Sequence, residues 1–401
     1  MNPTRVLVTG MGVVSSIGMN AKENFQNLLT EKSGIGSISI LKTAHSQSLP
    51  AGEIKFSNNE LGKLLGIDSI KYYSRSSLLA LLAAKEAIDQ SSIKNISEFR
   101  TGLISAGTVG GMDKSENFYA DWKNNNPKIH LSDIITHDCG DSTKRLADYF
   151  GIHEYISTIS TACSSSANAI LLGARLIKSN RLDRVIVGGT DALTRFTLNG
   201  FNTLMILDSE KCTPFDENRK GLNLGEGAAY LILESEKAAE GKKIFAQVTG
   251  YANANDAFHQ TASSPDGKGA FLAMSKALEV ADLKTDDIDY INVHGTGTPN
   301  NDITEGTAIE ALFQKKIPAY SSTKAYTGHT LAACGAIEAI YSIYAINEGV
   351  LYPTLRFKNK INELKSLPLT SLRKNEKITN VLSNSFGFGG NNSSLIFSKS
   401  N

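Results

Sequence analysis

The 401-residue sequence has almost no net charge, because 41 lysines and arginines face 40 aspartates and glutamates. It also lacks a clustered basic run of the kind that binds nucleic-acid phosphates. No apolar run approaches the roughly 20 residues needed to cross a bilayer. The start of the chain lacks the long apolar stretch and small-residue cleavage site of a secretory signal. These absences argue against nucleic-acid binding, membrane insertion and secretion.

Cysteine is also scarce, with four residues spread between positions 139 and 334. So few thiols exclude a disulfide-built scaffold in a chain of this length, and we expect a reducing, cytoplasmic compartment with free thiols. Glycine is plentiful, at 34 residues against 9 prolines. This ratio is typical of α/β proteins with many tight strand-to-helix turns. With 41% hydrophobic residues, the chain can bury a large core.

Strand and helix patterns alternate along the chain, which predicts an α/β fold with helices covering the sheet. The runs TGLISAG, YISTIS and RVIVGG read as strands, and residues 166–178 read as a helix. After the polar stretch ESEKAAEGKK, the segment AQVTGYANAND repeats the strand-then-glycine pattern of the opening RVLVTGMG. The sequence therefore predicts two copies of one βα plan, at residues 1–240 and 241–401, with an insertion in the first copy at residues 113–127.

The opening strand runs into glycines that could form a turn before a helix. Gly10, Gly12 and Gly18 do not keep the register of a dinucleotide-binding loop. A structural turn is therefore the preferred interpretation, and nucleotide binding is the alternative.

Cys163 lies between the predicted strand at residues 155–160 and the start of a helix. Unpaired backbone N–H groups and the positive end of the helix dipole should lower the pKa of a thiol there. The setting resembles a nucleophile elbow. The alternative is a buried structural cysteine, which is how Cys139, Cys212 and Cys334 are interpreted.

Two histidines lie at the ends of predicted strands, where α/β proteins build their sites. His294 opens the loop HGTGTPNND, and His329 ends STKAYTGH before another helix. Together with Cys163 they form a candidate nucleophile and base set. Zinc is the main alternative, but structural zinc ligands usually come in close pairs and these three are far apart in sequence. We expect no metal.

Three further charged residues and one glycine-rich loop leave alternatives open. Asp302 and Glu305 could be paired acids or ordinary helix-start residues. Lys324 could be a solvated charge, or it could pair with a buried carboxylate beside the histidines. The run NSFGFGGNN could donate N–H groups to an oxyanion, or it could be a turn before the last strand.

The four motifs STACSSS, NVHGTGTP, SSTKAYTGH and NSFGFGG, in this order, resemble those of the β-ketoacyl-acyl-carrier-protein synthases, a condensing-enzyme family of the thiolase superfamily. The resemblance covers essentially the whole chain. It implies a thiolase-like α/β fold with two similar βαβαβαββ halves in five αβαβα layers, and a homodimer. It also implies an acyltransferase whose substrates arrive on the phosphopantetheine arm of an acyl-carrier protein, with no cofactor of the enzyme's own.

The resemblance also implies roles for individual residues. Cys163 accepts the acyl group, malonyl-carrier then loses carbon dioxide, and the resulting carbanion attacks the Cys163 thioester to give a 3-oxoacyl chain. His294 and His329 support the decarboxylation as neutral rings, so activity is expected to fall below roughly pH 6. The other implied roles are Lys324 as support of the histidine pair, Glu305 as the acidic partner of Lys324, Asp302 as a second supporting acid, Phe388 as oxyanion donor and gating aromatic, and Thr261, Thr296 and Thr298 as pantetheine contacts.

The sequence departs from the family pattern at several positions. Ser164, Ser165 and Ser166 follow the cysteine, where the family often has a glycine, and Asn391 stands where the family has threonine. Fatty-acid elongation is the leading hypothesis, and a specialised aryl-polyene or type II polyketide ketosynthase is the alternative. A non-catalytic carrier-binding partner subunit, and a thiol hydrolase or simple acyltransferase, are the other two hypotheses.

Overall fold

The computed structural model describes residues 4–127 and 129–400, so the outermost residues of the two predicted halves lie outside it. The strands are β1 Leu7–Ser15, β2 Ile35–Gly36, β3 Ala51–Gly52, β4 Thr101–Ala106, β5 Tyr155–Ile159, β6 Arg184–Asp191, β7 Gly227–Glu234, β8 Ala246–Asn255, β9 Tyr290–Asn292, β10 Ala319–Ser321, β11 Asn380–Gly387 and β12 Asn391–Ser398. The α-helices are α1 Ala21–Leu29, α2 Asn58–Leu65, α3 Arg75–Gln90, α4 Met112–Lys123, α5 Cys139–Phe150, α6 Ser165–Lys178, α7 Arg195–Thr203, α8 Lys268–Ala281, α9 Pro299–Phe313, α10 Lys324–Thr327 and α11 Cys334–Glu348. Single 3₁₀ turns lie at Ile96–Glu98, Leu131–Ile134, Thr285–Asp287, Leu331–Ala333 and Phe388–Gly390.

Ten strands form one mixed sheet in the order β10-β9-β11-β12-β8-β1-β7-β6-β4-β5. Read outward from the centre, each half has the same order and the same pattern of two antiparallel and then two parallel pairings. The halves meet where β1 pairs antiparallel with β8 over two residue pairs. The predicted repeat of one βαβαβαββ unit is therefore present. The boundary at residue 240 stays a prediction, and it falls in the link between β7 and β8.

Helices cover the sheet in layers. In the first half α3 packs on β1 and β7, and in the second half α8 packs on β8 and β12. Between the halves lie α6, which contacts β6 and β12, and α11, which contacts β7 and β11. Because α11 is buried along nearly its whole length, it can be apolar on almost every side. The two halves of the sheet form the two β layers, with α6 and α11 between them and α3 and α8 outside. This is the expected five-layer αβαβα arrangement of a thiolase-like fold.

Of the three glycines of the predicted turn, Gly18 forms it through backbone hydrogen bonds with Ser15, whereas Gly10 and Gly12 do not. Gly10 and Gly12 lie inside β1, where α3 crosses closely. A Cβ atom on Gly10 would lie 2.1 Å from the carbonyl oxygen of Ala87, and one on Gly12 would lie 2.0 Å from that of Ala83. These glycines therefore serve close helix-to-strand packing, which the local pattern could not distinguish from a turn.

The first half is longer than the second because extra elements are distributed along it. They are α1, the small β2–β3 ribbon, α2, α4 and α7. The predicted polar insertion at residues 113–127 is thus only one of several, and most of it is the helix α4. No helix within the described residues is both long and apolar enough to span a bilayer.

Candidate active site

Cys163 sits in the predicted turn between a strand and a helix, after β5 and just before α6. The preceding residue, Ala162, has a φ of 52°, a left-handed conformation that is rare for a residue with a Cβ atom. The hydroxyl of Ser165 holds this turn, because it accepts the backbone N–H of Thr161 at 2.8 Å. The strained turn presents the Cys163 side chain in a buried position, with 7% of its surface exposed.

Both predicted histidines reach the same place. The Nε2 atom of His329 lies 3.0 Å from the Cys163 sulfur, and the rings of His294 and His329 are 5.3 Å apart and nearly perpendicular. Cys163 follows β5 and His329 follows β10, which are equivalent strands of the two halves, while His294 follows β9. The repeat therefore brings one nucleophile and two imidazoles together from both halves.

The expected low pKa of Cys163 is not found. Burial raises the pKa of this thiol to about 11, against the lowering influence of the Lys324 charge and of the backbone N–H groups of Phe388 and Cys163. The prediction considered only the helix start and was wrong because loss of hydration outweighs the local dipole. The resting group is therefore a thiol, and its proton must move to a base, for which His329 at 3.0 Å is placed.

Burial also lowers the pKa of both histidines. The pKa of His294 lies well below 6.5 because of burial and the charges of Lys324 and His329, and that of His329 does so because of burial and Lys324. Both rings therefore stay neutral at neutral pH, as the implied role requires. The expected loss of activity near pH 6 moves to lower pH, because that expectation used the ordinary pKa of histidine.

Lys324 pairs with a carboxylate that the sequence prediction did not name. Its ammonium lies 2.5 Å from the Oε1 atom of Glu338, and both side chains are buried. Burial raises the pKa of Glu338 to about 7, and the neighbouring ammonium opposes that rise. Burial alone would lower the pKa of Lys324, but the Glu338 charge raises it overall, so the lysine keeps its proton. Glu338 had a signal in the sequence, as the one acid in the apolar run from Leu331 to Asn347.

Glu305, the predicted partner of Lys324, has a different task. Its carboxylate accepts the backbone N–H groups of His294 and Gly295, each at 2.8 Å, and the side-chain amide of Asn384 at 3.1 Å. It acts on Lys324 only as a more distant charge. The prediction of a Glu305–Lys324 pair is therefore wrong. Glu305 fixes the loop that carries His294, and burial raises the pKa of this carboxyl to about 7.

Asp302 supports the next part of the same loop. Its carboxylate accepts the backbone N–H of Phe215 at 2.7 Å and that of Gly297 at 3.2 Å. Arg219 lies 3.9 Å from it as a buried counter-charge. Asp302 is thus a supporting acid of the loop and does not touch either histidine ring among the contacts of the described residues.

The glycine-rich loop of the last hairpin reaches the nucleophile. The backbone N–H groups of Phe388 and Cys163 both act on the Cys163 sulfur, which is where an oxyanion hole for a thioester is needed. The close approach depends on Gly387, because a Cβ atom there would lie 3.1 Å from the Cys163 nitrogen and from the Thr161 oxygen. The Phe388 ring stacks on Phe201 at 5.9 Å.

A cavity of about 400 Å³ elsewhere, around Arg75 and Glu226, is larger than the one at the nucleophile. The cavity at Cys163 holds about 320 Å³ and contains the reactive groups. Its lining comprises Cys163, Phe201, Met205, Ile206, Leu222, Thr261, Ala262, Ser263, His294, Thr296, Thr298, Pro299, Asn300, Asn301, His329, Phe386, Gly387 and Phe388. All three predicted pantetheine threonines thus line the path to the sulfur, and the hydroxyls of Thr296 and Thr298 lie 2.9 Å apart.

The same side chains bear on the metal question. Two groups of three side chains each bring one potential ligand atom per residue within 4.8 Å of the others. The groups are Cys163, His294 and His329, and His294, Cys334 and Glu338. Distance along the sequence was therefore a poor guide, because the fold assembles the three groups. The absence of a metal stays a prediction. Cys334 also contacts the nucleophile, since its thiol donates to the Cys163 carbonyl oxygen at 3.1 Å.

Comparison with known proteins gives matches over the whole chain. Residues 3–239 match the N-terminal domain of β-ketoacyl synthases, and residues 245–358 match the C-terminal domain. The 3-oxoacyl-[acyl-carrier-protein] synthase 2 of Staphylococcus aureus (strain N315) is 32% identical over 98% of each chain. Two solved structures match over 100% of both chains. They are the ishigamide ketosynthase/chain length factor, with a TM-score of 0.93 and 28% identity, and a type II polyketide acyl-carrier protein in complex with its ketosynthase bound to the hexaketide, with 0.89 and 26%.

Proposed function

Because the chain belongs to the β-ketoacyl synthase family, we propose that it lengthens an acyl chain by one two-carbon unit in two steps that share Cys163. Membership confirms the family predicted from the four motifs, and the chain is an acyltransferase-type condensing enzyme. The observation that carries the proposed residue roles is the 3.0 Å contact between the Cys163 sulfur and His329, with His294 beside it.

In the first step the Cys163 sulfur attacks the thioester carbonyl of an acyl group on the pantetheine arm. The thiol proton passes to Nε2 of His329, because the high pKa of the thiol leaves no resting thiolate. The N–H groups of Phe388 and Cys163 stabilise the oxyanion of the tetrahedral intermediate. The pantetheine thiolate then leaves and takes up the proton from His329, which returns that ring to its neutral form, and the acyl group stays on sulfur. Covalent transfer divides one difficult reaction into two easier ones.

In the second step malonyl-carrier occupies the vacated arm site. Its carboxylate leaves as carbon dioxide, and the electron pair of the broken bond becomes an enolate. The neutral rings of His294 and His329 donate N–H to the enolate oxygen, each contributing about 3 kcal/mol. The enolate carbon attacks the Cys163 thioester, and the cysteine thiolate leaves and takes up a proton, which restores the resting thiol. Glu305 holds the backbone of His294, and the Lys324 charge, balanced by Glu338, acts electrostatically on both histidines.

We propose fatty-acid biosynthesis as the pathway, which is consistent with the 3-oxoacyl synthase relatives. One observation favours a specialised polyketide pathway as a second candidate. The similar solved structures include an ishigamide ketosynthase and a type II polyketide ketosynthase, each matching over the full chain. The two candidates share every chemical step above and differ in the acyl chain and the carrier.

The proposed partner is an acyl-carrier protein that delivers both substrates. One of the similar structures is a ketosynthase in complex with its acyl-carrier protein. At the mouth of the cavity Met205 is 87% exposed, which gives an apolar contact for a docking surface. We propose that no cofactor is needed beyond the phosphopantetheine of the carrier. We also propose a cytoplasmic location, which is consistent with four free cysteines.

We propose that a second copy of the chain pairs with β5. This strand is an edge of the ten-stranded sheet, and Ile156 on it is exposed. An open edge strand with an apolar side chain is a template for pairing. The segment between β4 and β5 also exposes Tyr119, Trp122, Leu131 and Ile135. A symmetric dimer would cover such a surface.

The proposed reaction is tested by incubating the purified protein with acyl-carrier and malonyl-carrier. The expected result is release of one carbon dioxide for each 3-oxoacyl product formed. Free acid, or acyl transfer without carbon dioxide, would instead identify a thiol hydrolase or a simple acyltransferase. No reaction at all by the protein alone would favour the non-catalytic partner subunit.

A further inference from the structure

One carboxamide oxygen beside the nucleophile accepts hydrogen bonds from three side chains. The Oδ1 atom of Asn391 lies 2.6 Å from the hydroxyl of Ser164, 2.6 Å from the amide of Asn253 and 3.0 Å from the amide of Asn168. Asn391 stands where the motif of the resembled family has threonine. Asn391 has no role in the proposed mechanism.

The network connects two parts of the active site that come from different halves of the chain. Ser164 directly follows Cys163, and Asn168 lies in the first turn of α6. Asn391 begins β12, directly after the Phe388–Gly390 turn. Asn391 therefore ties the nucleophile turn to the loop that carries the second oxyanion donor.

The loop needs such anchors because its backbone is permissive. Gly389 and Gly390 have φ values of 78° and 73°, in the left-handed region that glycine enters freely. On the far side, the Gly389 N–H donates to the Gln260 carbonyl at 2.7 Å, and Asn255 donates to the Gly389 carbonyl at 2.8 Å. On the nucleophile side, the Asn391 side chain is an anchor through Ser164 and Asn168. A loop with one anchor removed can shift the Phe388 N–H away from the sulfur.

Ser164 has one hydroxyl proton and two good acceptors. One is Asn391 Oδ1 at 2.6 Å, and the other is the Thr161 carbonyl oxygen at 2.7 Å. If Asn391 loses its oxygen, the buried Ser164 hydroxyl can still donate to Thr161, so no buried donor is left unpaired. Removing the Asn391 oxygen should therefore loosen the loop without unfolding the protein.

We infer that Asn391 is a positioning residue for acyl transfer, which holds the Phe388 N–H against the Cys163 sulfur by binding Ser164 and Asn168. The inference rests on the proposed function, since it concerns the oxyanion of the first step. Asn391 should therefore affect the rate of acyl transfer and the reactivity of the Cys163 thiol, and should not affect the affinity for the carrier.

The experiment compares Asn391→Thr with Asn391→Val, which have the same shape and differ by one acceptor oxygen. Three quantities are measured: the rate of Cys163 acylation at saturating acyl-carrier, the half-saturating carrier concentration, and the pH profile of Cys163 alkylation by iodoacetamide. For Asn391→Val we expect acylation to slow about tenfold, because a small misplacement of a catalytic donor has effects of that order. The half-saturating concentration should not change, and the alkylation profile should move to higher pH because the thiolate loses the Phe388 N–H.

Asn391→Thr should retain most of the wild-type rate and profile, and the remote exposed substitution Asn362→Leu should match wild type. Equal behaviour of the Thr and Val variants, or a slower rate with an unmoved alkylation profile, would overturn the inference. If Asn391→Val does not fold, Asn253→Ala is tested instead, because it removes the exposed amide that donates to Asn391 Oδ1. We expect a smaller loss of acylation rate and a smaller move of the alkylation profile to higher pH. Wild-type protein that takes up no acyl group would refute the proposed function itself, a result separate from any difference between variants.

Discussion

Lys324 and Glu338 form a buried ion pair, with Nζ and Oε1 2.5 Å apart, and a carboxylate oxygen of Glu338 lies within 4.8 Å of a ring nitrogen of His294. Glu305, the nearer acid in sequence to His294, instead accepts backbone N–H groups of the His294 loop. The two acids therefore have separable effects. Glu338 balances a buried charge, whereas Glu305 satisfies buried backbone donors.

Glu338→Gln should lower the free energy of unfolding by about 3–5 kcal/mol, because it leaves the Lys324 ammonium buried without a counter-charge. Glu305→Gln should cost about 1–3 kcal/mol, because its amide oxygen can still accept one of the lost bonds. Urea unfolding at neutral pH measures both. The paired substitution Lys324→Met with Glu338→Leu should recover most of the stability and none of the activity. A Glu338→Gln variant as stable as wild type would contradict the pairing.

The buried histidines should make stability depend on pH. Their folded pKa values lie well below 6.5, so as pH falls through 6.5 the unfolded rings take up protons and the folded rings do not. Each ring should then lower the free energy of unfolding by up to about 1.4 kcal/mol per pH unit. The raised pKa values of Glu305 and Glu338, about 7 each, act in the opposite direction, since their contribution is full below 4.5 and lost as pH rises through 7.

The histidine contribution is isolated by His294→Asn, measured by urea unfolding between pH 7.5 and 5. Below pH 6.5 the slope of stability against pH should be lower for this variant than for wild type, by up to about 1.4 kcal/mol per pH unit. His153→Asn replaces an exposed histidine and is the control, and its stability curve should run parallel to that of wild type. Parallel curves for wild type and His294→Asn would mean that the buried ring takes up a proton like a free one.

Much of the fold could be predicted from the sequence, because strand and helix periods and the repeated strand-then-glycine pattern are local signals. The position of Cys163, His294 and His329 at strand ends was also readable, and the structure brings the three together. The partner of Lys324 and the pKa of Cys163 could not be predicted, because they depend on packing between segments that are distant in sequence. Whether Glu305 or Glu338 reaches Lys324 depends on how α9 and α11 are placed around the histidines. The pKa of Cys163 depends on burial by the whole site, which outweighs the helix start.

Gly387→Ala should damage acyl transfer specifically. The added methyl group would lie 3.1 Å from the Cys163 nitrogen and the Thr161 oxygen, so the loop that carries Phe388 must move away. Loss of one oxyanion donor should slow Cys163 acylation by about 100-fold. Quench-flow mass spectrometry measures that rate. Gly36→Ala is the matched control, because nothing lies within 4 Å of its added Cβ atom. Equal acylation rates in the two variants would refute the packing argument.

Ile156→Glu should prevent dimer formation, because it places a charge on the edge of β5 where the second copy is proposed to pair. Light scattering after size exclusion should give twice the chain mass for wild type and the single chain mass for the variant. Leu367→Glu changes an exposed apolar residue outside β5 and the β4–β5 segment, and should remain dimeric. A monomeric wild type, or a dimeric Ile156→Glu variant, would contradict the proposed pairing.

In the proposed mechanism, Cys163 carries the acyl group between the two steps. Intact-protein mass spectrometry of the wild type with acyl-carrier alone should show one added acyl group, mapped to Cys163, and added malonyl-carrier should discharge it as 3-oxoacyl product with release of carbon dioxide. Cys163→Ala should fold and take up none. An acyl group that still attaches to Cys163→Ala, or that remains on the wild-type enzyme when malonyl-carrier is added, would contradict the account.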